Sequence, residues 1–217
     1  MKVSVLGTGM VGEAIASKLV SLGHQVMMGS RNAGNEKALS WVKAAGTNAT
    51  QGSFSDSAKF GEIVFNCTNG AHALEVLKQA GAANLKGKIV VDISNPLDFS
   101  KGMPPTLSIC NDNSLGEEIQ KALSESHVVK TLNTLSAPIM VNPAIVNGGN
   151  HNIFVSGNDA GSKTKVKEIL HSFGWKPVHI IDLGDITTAR GTEQLLPIWI
   201  RLMGALNTPM FQFQIVK

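Results

Sequence analysis

The sequence has no tyrosine, only two cysteines, and charged residues at just 16% of its 217 positions. Without tyrosine there is no Tyr–Lys proton donor of the short-chain dehydrogenase kind. Cys67 and Cys110 form no C-x-x-C pair, so neither a disulfide framework nor a zinc site is supported. Cys67 closes the apolar run Ile63–Cys67 and is expected as a buried thiol at a strand end. No apolar run approaches the ~20 residues that cross a bilayer. The longest, Leu195–Leu206, also contains Arg201. Lysine and arginine do not cluster and the net charge is +3, which points away from a nucleic-acid surface. The histidines (His24, His72, His127, His151, His171 and His179) share no metal-ligand spacing with cysteines or carboxylates, and no Ser/His/Asp set can be placed. Neither a metal nor a catalytic side chain is therefore expected. The opening Met1-Lys2-Val3-Ser4-Val5-Leu6-Gly7 already reads as a strand, leaving no room for a signal peptide, and a cytoplasmic protein is the expectation.

What is present begins with a glycine fingerprint. Apolar residues make up 43% of the chain, enough for a sizeable core. Val3–Leu6 runs into Gly7-Thr8-Gly9-Met10-Val11-Gly12, and an amphipathic helix follows with Val11, Ile15, Leu19 and Leu22 on one face. In a G-x-G-x-x-G loop the first glycine makes the tight turn. The second lets backbone N–H groups approach a pyrophosphate, and the third lets the helix pack on the strand. Gly23 ends the helix, and the next strand, Gln25–Met28, leads to Gly29-Ser30-Arg31-Asn32. NAD enzymes carry Asp or Glu at this point for the ribose 2′-OH. A hydroxyl and a guanidinium suit a 2′-phosphate instead, so NADP(H) is the expected ligand.

The alternation of strand and helix continues. Helices are expected over residues 36–45, 53–60, 71–79 and 163–173, and strands over 48–51, 62–67, 88–93, 128–132, 153–156 and 178–181. Ser114-Leu115-Gly116-Glu117 reads as a capping box. The pattern predicts an α/β, mostly parallel, doubly wound sheet over residues 1–182. Residues 183–217 form a separate appendage: a helix from Asp185 through Leu206 kinked at Pro197, then an alternating strand over 211–215. The helix is apolar nearly all round from Leu195 onward, so a second subunit or a bound cofactor must cover it.

Ligands of such sheets bind beyond the carboxyl ends of the strands. That rule gathers the loops Gly7–Gly12, Gly29-Ser30-Arg31-Asn32, Thr68-Asn69-Gly70, Ser94-Asn95-Pro96, and Asn133 to Ala137 as candidates for cofactor binding, and Cys67, just before the third loop, is counted with them. The side chains are small and polar, suited to a ribose and a carboxamide and poor as acid–base groups. His72, just after the third loop, is expected to be structural. A dinucleotide site without a proton donor suits hydride transfer to a flavin-like ring.

Gly7–Gly12, Gly29-Ser30-Arg31, Ser94-Asn95-Pro96-Leu97, Asn133-Thr134-Leu135-Ser136-Ala137 and Met203-Gly204-Ala205-Leu206 together resemble the coenzyme F420-dependent NADP oxidoreductases, over nearly the whole chain. The Asn-Thr-Leu-Ser-Ala stretch is also similar to the NADPH-binding domain of the STEAP metalloreductases. The resemblance implies a Rossmann-type domain, a small C-terminal part and a homodimer. It places NADP against Thr8, Gly9, Met10 and Val11, Ser30 and Arg31, the Thr68 region, Ser94 to Pro96 and Ala137. Lys37 is similar to a lysine that reaches the 2′-phosphate, and the deazaflavin would touch the Leu206 region. The archaeal members read His-Thr-Ile-Pro-Ala and Ser-Pro-Leu where this chain has Asn133–Ala137 and Ser94–Leu97. The small-molecule acceptor thus stays open between F420, FMN and similar compounds. Two alternatives also stand: a carbonyl or imine reductase similar to pyrroline-carboxylate reductase, and a non-catalytic NADPH-sensing module.

Overall fold

The computed structural model describes residues Met1–Lys217. In chain order the first half comprises β1 (Lys2–Leu6), α1 (Met10–Ser21), β2 (Gln25–Ser30), α2 (Glu36–Ala45), β3 (Ala49–Ser53), α3 (Phe54–Phe60), β4 (Ile63–Asn66), α4 (Ala73–Ala80), α5 (Ala82–Leu85) and β5 (Ile89–Asp92). A short hairpin of β6 (Leu97–Asp98) and β7 (Thr106–Leu107) leaves the sheet. The chain then continues through α6 (Leu115–Ala122), β8 (His127–Thr131), α7 (Ala137–Val141), β9 (Ile153–Ser156), α8 (Ala160–Ser172), β10 (Ile180–Gly184), α9 (Ala189–Gln194) and α10 (Leu196–Leu206).

Eight strands form one sheet in the order β10-β9-β8-β5-β4-β1-β2-β3. Every neighbouring pair is parallel except β8 and β9. The sheet is Rossmann-like and mostly parallel, as expected. The last β-α-β unit is parallel within itself but runs against the rest. β1 has β2 on one side and β4 on the other, so the chain reverses its winding there. That switch point opens a crevice at the carboxyl ends of β1 and β4. Both faces of the sheet are covered. Val3, Val5, Ile15, Leu19, Phe65 and Val129 belong to one buried cluster; Leu6, Val64, Val90, Ile119 and Val128 belong to the other. Strands covered on both sides read as unbroken apolar runs, which is why Ile63–Phe65 shows no alternation. No helix is long and apolar enough to cross a membrane.

Four local expectations need correction. Leu22 is exposed, because it lies past the last turn of α1 as its C-cap; Gly12 and Ala16 join Ile15 and Leu19 on the buried face. The Ser114 box is half made. The Ser114 hydroxyl accepts the Glu117 N–H at 3.1 Å, but Glu117 turns to Arg190 at 2.6 Å and Asn113 takes the Ser114 N–H. A complete box forms at Ser53 and Asp56. The C-terminal helix is two helices that break at Leu195, one residue before Leu196-Pro197, as the missing proline N–H and ring require. Finally, residues 211–215 form no strand. The tail pairs with neither edge strand of the sheet, β10 or β3, and so completes no ladder. It crosses Asn152 instead, whose N–H donates to Phe213 O at 2.9 Å and whose side-chain oxygen accepts from the Ile215 N–H at 2.7 Å.

The edge strand β10 is pinned to α8 by Asp182, which accepts from Lys163 at 2.8 Å and Lys167 at 2.7 Å. Burial pushes this carboxyl up, but the two ammonium groups outweigh it and hold the pKa below the usual carboxylate range. A depressed carboxylate contributes stability above its unfolded pKa, and that contribution is lost as pH falls through the folded value. Asp182→Asn should therefore cost about 0.5–1 kcal/mol at pH 7, the scale of partly exposed pairs. The difference should shrink towards zero in urea melts as the pH is taken down through and below the usual carboxylate range.

Candidate functional site

The crevice is shaped by three glycines with three different reasons. Gly7 has φ +118°, and a Cβ there would lie 2.8 Å from Cys67 O. A Cβ on Gly12 would lie 2.1 Å from Gly7 O, so the loop can close on the helix only with glycine at that position. A Cβ on Gly9 would meet nothing within 4 Å. Gly9 is the N-cap of α1 and carries no side chain to occupy the first N–H groups of the helix, which are left free for an anion. Thr8, Gly9, Met10 and Lys37 line one cavity; Met10 is exposed and Val11 packs against the core.

At the end of β2, Ser30 is buried and its hydroxyl donates to Asn32 O at 2.7 Å, so its proton is spent inside the turn. Arg31 and Lys37 are exposed and form no ion pair, although Glu36 stands on the same rim. Asn35 caps α2 through the Lys37 and Ala38 N–H groups, which sets where Lys37 leaves the helix. A cavity of about 390 Å³ joins Gly7, Thr8 and Gly9 to Ser30, Arg31, Cys67, Thr68, Asn69 and His72. Burial, with the charge of Asp92 added, pushes the Cys67 thiol far up, so it is not a thiolate.

Further along the edge, the loops after β5 and β8 are tied together. Asn95 Nδ2 donates to Asn133 O at 2.8 Å, and Asn133 Nδ2 returns a bond to Asn95 Oδ1 at 2.9 Å and another to Thr192 O at 3.1 Å. A Cβ on Gly70 would sit 1.9 Å from Asn95 O, so the loop after β4 touches this pair. Leu132 adopts φ +59°, a left-handed conformation costing a β-carbon-bearing residue ~1–2 kcal/mol, where the chain turns from β8 towards Asn133. Ala137 opens α7, and the Ser136 hydroxyl faces the Met210 sulfur at 3.8 Å, which brings the C-terminal tail to this loop. Leu206 is 53% exposed and lines none of the cavities just described.

Beneath these loops lies a buried charge cluster that the sequence reading did not anticipate. Lys130 Nζ contacts Asp92 Oδ2 and Glu193 Oε1, each at 2.7 Å, and Ser94 O at 2.5 Å; all three charged side chains are at most 1% exposed. Glu193 in turn accepts the first two N–H groups of α6, from Leu115 at 2.7 Å and Gly116 at 3.0 Å. Burial pushes the Lys130 pKa down, but the two carboxylates outweigh it and the lysine stays protonated. A signal was available: Asp92 and Lys130 are the lone charges in the apolar runs Ile89–Ile93 and Val128–Leu132, and their signs are opposite.

Residues 2–96 match the sequence profile of the family described as NADP oxidoreductase, coenzyme F420-dependent. A solved structure from Arthrobacter sp. FB24, a candidate F420-dependent NADP-reductase, is 50% identical, with TM-score 0.95 and full coverage of both chains. The chain belongs to this family of F420-dependent NADP oxidoreductases. Metalloreductase STEAP3 of Rattus norvegicus is 28% identical over 204 residues, 91% of this chain; the chain spans 38% of that protein's length. Plasmodium falciparum pyrroline carboxylate reductase, solved with NADP bound, shares the fold at 15% identity and TM-score 0.58, covering 95% of this chain and 70% of that one.

The glycines separate stability from binding. Gly12→Ala should lower stability by about 1–3 kcal/mol, the cost of overpacking. Gly9→Ala should leave the melting temperature unchanged and weaken a dinucleotide at least tenfold, because its methyl occupies the approach to the helix N-terminus. Melting curves with and without NADP+ distinguish the two.

Proposed function

We propose that the protein transfers hydride between NADP(H) and a flavin-like acceptor of the F420 or FMN kind. The observation that carries the cofactor half is the pairing of an open glycine loop with two unpaired cations, Arg31 and Lys37, at the end of β2. The free N–H groups at Gly9 and Met10 suit a diphosphate; Arg31 and Lys37 suit a 2′-phosphate, which a guanidinium can hold by two charge-assisted bonds. Thr68, Asn69, Ser94, Asn95, Pro96, Asn133 and Ala137 follow along the edge and suit the nicotinamide ribose and carboxamide. The nicotinamide supplies the hydride. The chain binds and orients, and the loops after β5 and β8 carry amides and hydroxyls. Cys67 is held neutral, which supports an acceptor that needs little proton transfer from the protein.

Arg31→Ala should weaken NADPH roughly a hundredfold, the loss of one charge-assisted pair of about 2–3 kcal/mol, and NADH by less than threefold. An equal loss for both would remove the 2′-phosphate assignment. Steady-state NADPH oxidation with F420, FMN, riboflavin and a small cyclic imine tests the acceptor. Turnover with the imine alone would favour the imine-reductase alternative, and turnover with none would favour a sensing role.

A two-fold homodimer through α10 and the tail belongs to the same reading. Ile198, Leu206 and Ile215 are each about half exposed and Val216 is 84% exposed. Trp199 stacks on Phe211 with ring centroids 5.2 Å apart, yet its indole N–H, itself covered, has no partner. Side chains of this size gain ~1.5–3 kcal/mol each on burial. In this reading residues 183–217 are the segment that forms the interface and borders the acceptor. Sedimentation at micromolar concentration should give a dimer, and Ile198→Asp combined with Leu206→Asp should give a monomer.

A further inference from the structure

We propose that Lys130, acting through Asp92 and Asn66, fixes the Thr68 hydroxyl as a hydrogen-bond acceptor towards the ligand, so that the group seated on it must be a donor. The inference rests on the NADP reading above. Asp92 accepts at both oxygens: Oδ2 from Lys130 at 2.7 Å, and Oδ1 from Asn66 Nδ2 at 2.8 Å and from the Ser94 hydroxyl at 2.7 Å. The Ser94 N–H adds a fourth donor on Oδ1 at 3.2 Å, so every partner of Asp92 donates and the carboxylate only accepts. Asn66 is fully buried, and the carboxylate beside it admits only the orientation with Nδ2 facing Asp92. Its Oδ1 is then directed at Thr68, whose hydroxyl donates to it at 2.6 Å. A hydroxyl has one proton, so the Thr68 oxygen has only lone pairs left for the cavity it lines beside Gly7 and Gly9. The Ser94 hydroxyl is spent on Asp92 in the same way.

The crevice therefore changes polarity along its length. At Gly9 it offers only N–H donors, which suit phosphate oxygens. The Thr68 hydroxyl offers only an acceptor, which repels a phosphate oxygen and accepts a hydroxyl or an amide N–H. A dinucleotide satisfies both ends in a single register, with the diphosphate at the glycine loop and the next unit on Thr68. Two groups of that half are donors, a hydroxyl of the nicotinamide ribose and the carboxamide N–H₂. Lys130, Asp92 and Asn66 touch neither and are positioning residues.

The test is calorimetric binding of three ligands to the full chain: the 2′-phosphate of ADP, the 2′-phosphate of ADP-ribose, and NADP+. Thr68→Val should leave the first unchanged and weaken one or both of the ligands that extend beyond the diphosphate about tenfold, while Thr68→Ser should stay within about twofold of wild type. Weakening of both the ADP-ribose derivative and NADP+ identifies the ribose hydroxyl; weakening of NADP+ alone identifies the carboxamide. Asn66→Ala, which frees the Thr68 proton, should show the same selective loss in protein that melts cooperatively. Unchanged binding of all three ligands by Thr68→Val, or an equal loss of all three, overturns the proposal. Failure of wild type to bind any of them would instead overturn the NADP reading.

Discussion

The ion cluster of Lys130, Asp92 and Glu193 is the interaction on which the carboxyl edge of the sheet depends. It joins the ends of β5 and β8 to α9 and, through Glu193, to the first turn of α6. A charge taken out of water costs several kcal/mol, and attraction offsets this only when every remaining donor and acceptor is satisfied. Here they are. Two carboxylates face one ammonium, and the excess negative charge lies at the N-terminus of α6, where the helix dipole favours it. Removing one member alone would strand the others, typically a loss of about 3–5 kcal/mol. The cluster therefore holds a particular arrangement of loops more than it adds to the stability of an apolar core.

That arrangement is what the ligand meets. Lys130 also holds Ser94 O, so the chain leaving β5 is tied to the same ammonium that orients Asp92. The Asn95–Asn133 amide pair then locks that loop to the one after β8, and Asn133 reaches Thr192, the neighbour of Glu193. Residues from α9 thereby support loops at the far end of the crevice. This gives a physical reason for a C-terminal segment to matter to a site built on the sheet.

The fold was largely legible because its signals are local. The glycine loop, the unbroken apolar strands and the helix stop at Gly23 each follow from steric or hydrogen-bonding rules within a few residues. The misreadings arose where a local rule had a nonlocal competitor. Glu117 fits a capping box by spacing, yet Arg190 from α9 claims its carboxylate. Phe211 to Ile215 alternate like a strand, but a strand needs a ladder partner, and the tail is held by Asn152 while the outer edge of β10 stays unpaired.

The sequence by itself determined a parallel, glycine-fingerprinted sheet whose second strand ends in Ser-Arg, because turn geometry and hydrophobic period are set by neighbours along the chain. The tertiary structure alone decided that Ser30 turns its proton inward and that Arg31 and Lys37 are the cations left free. It also decided that charges at positions 92, 130 and 193 meet in the interior, since which distant charges become partners depends on strand order. The direction of each hydrogen bond from Lys130 to Thr68 has the same origin: a hydroxyl or amide can point either way until a buried carboxylate fixes one end of the chain.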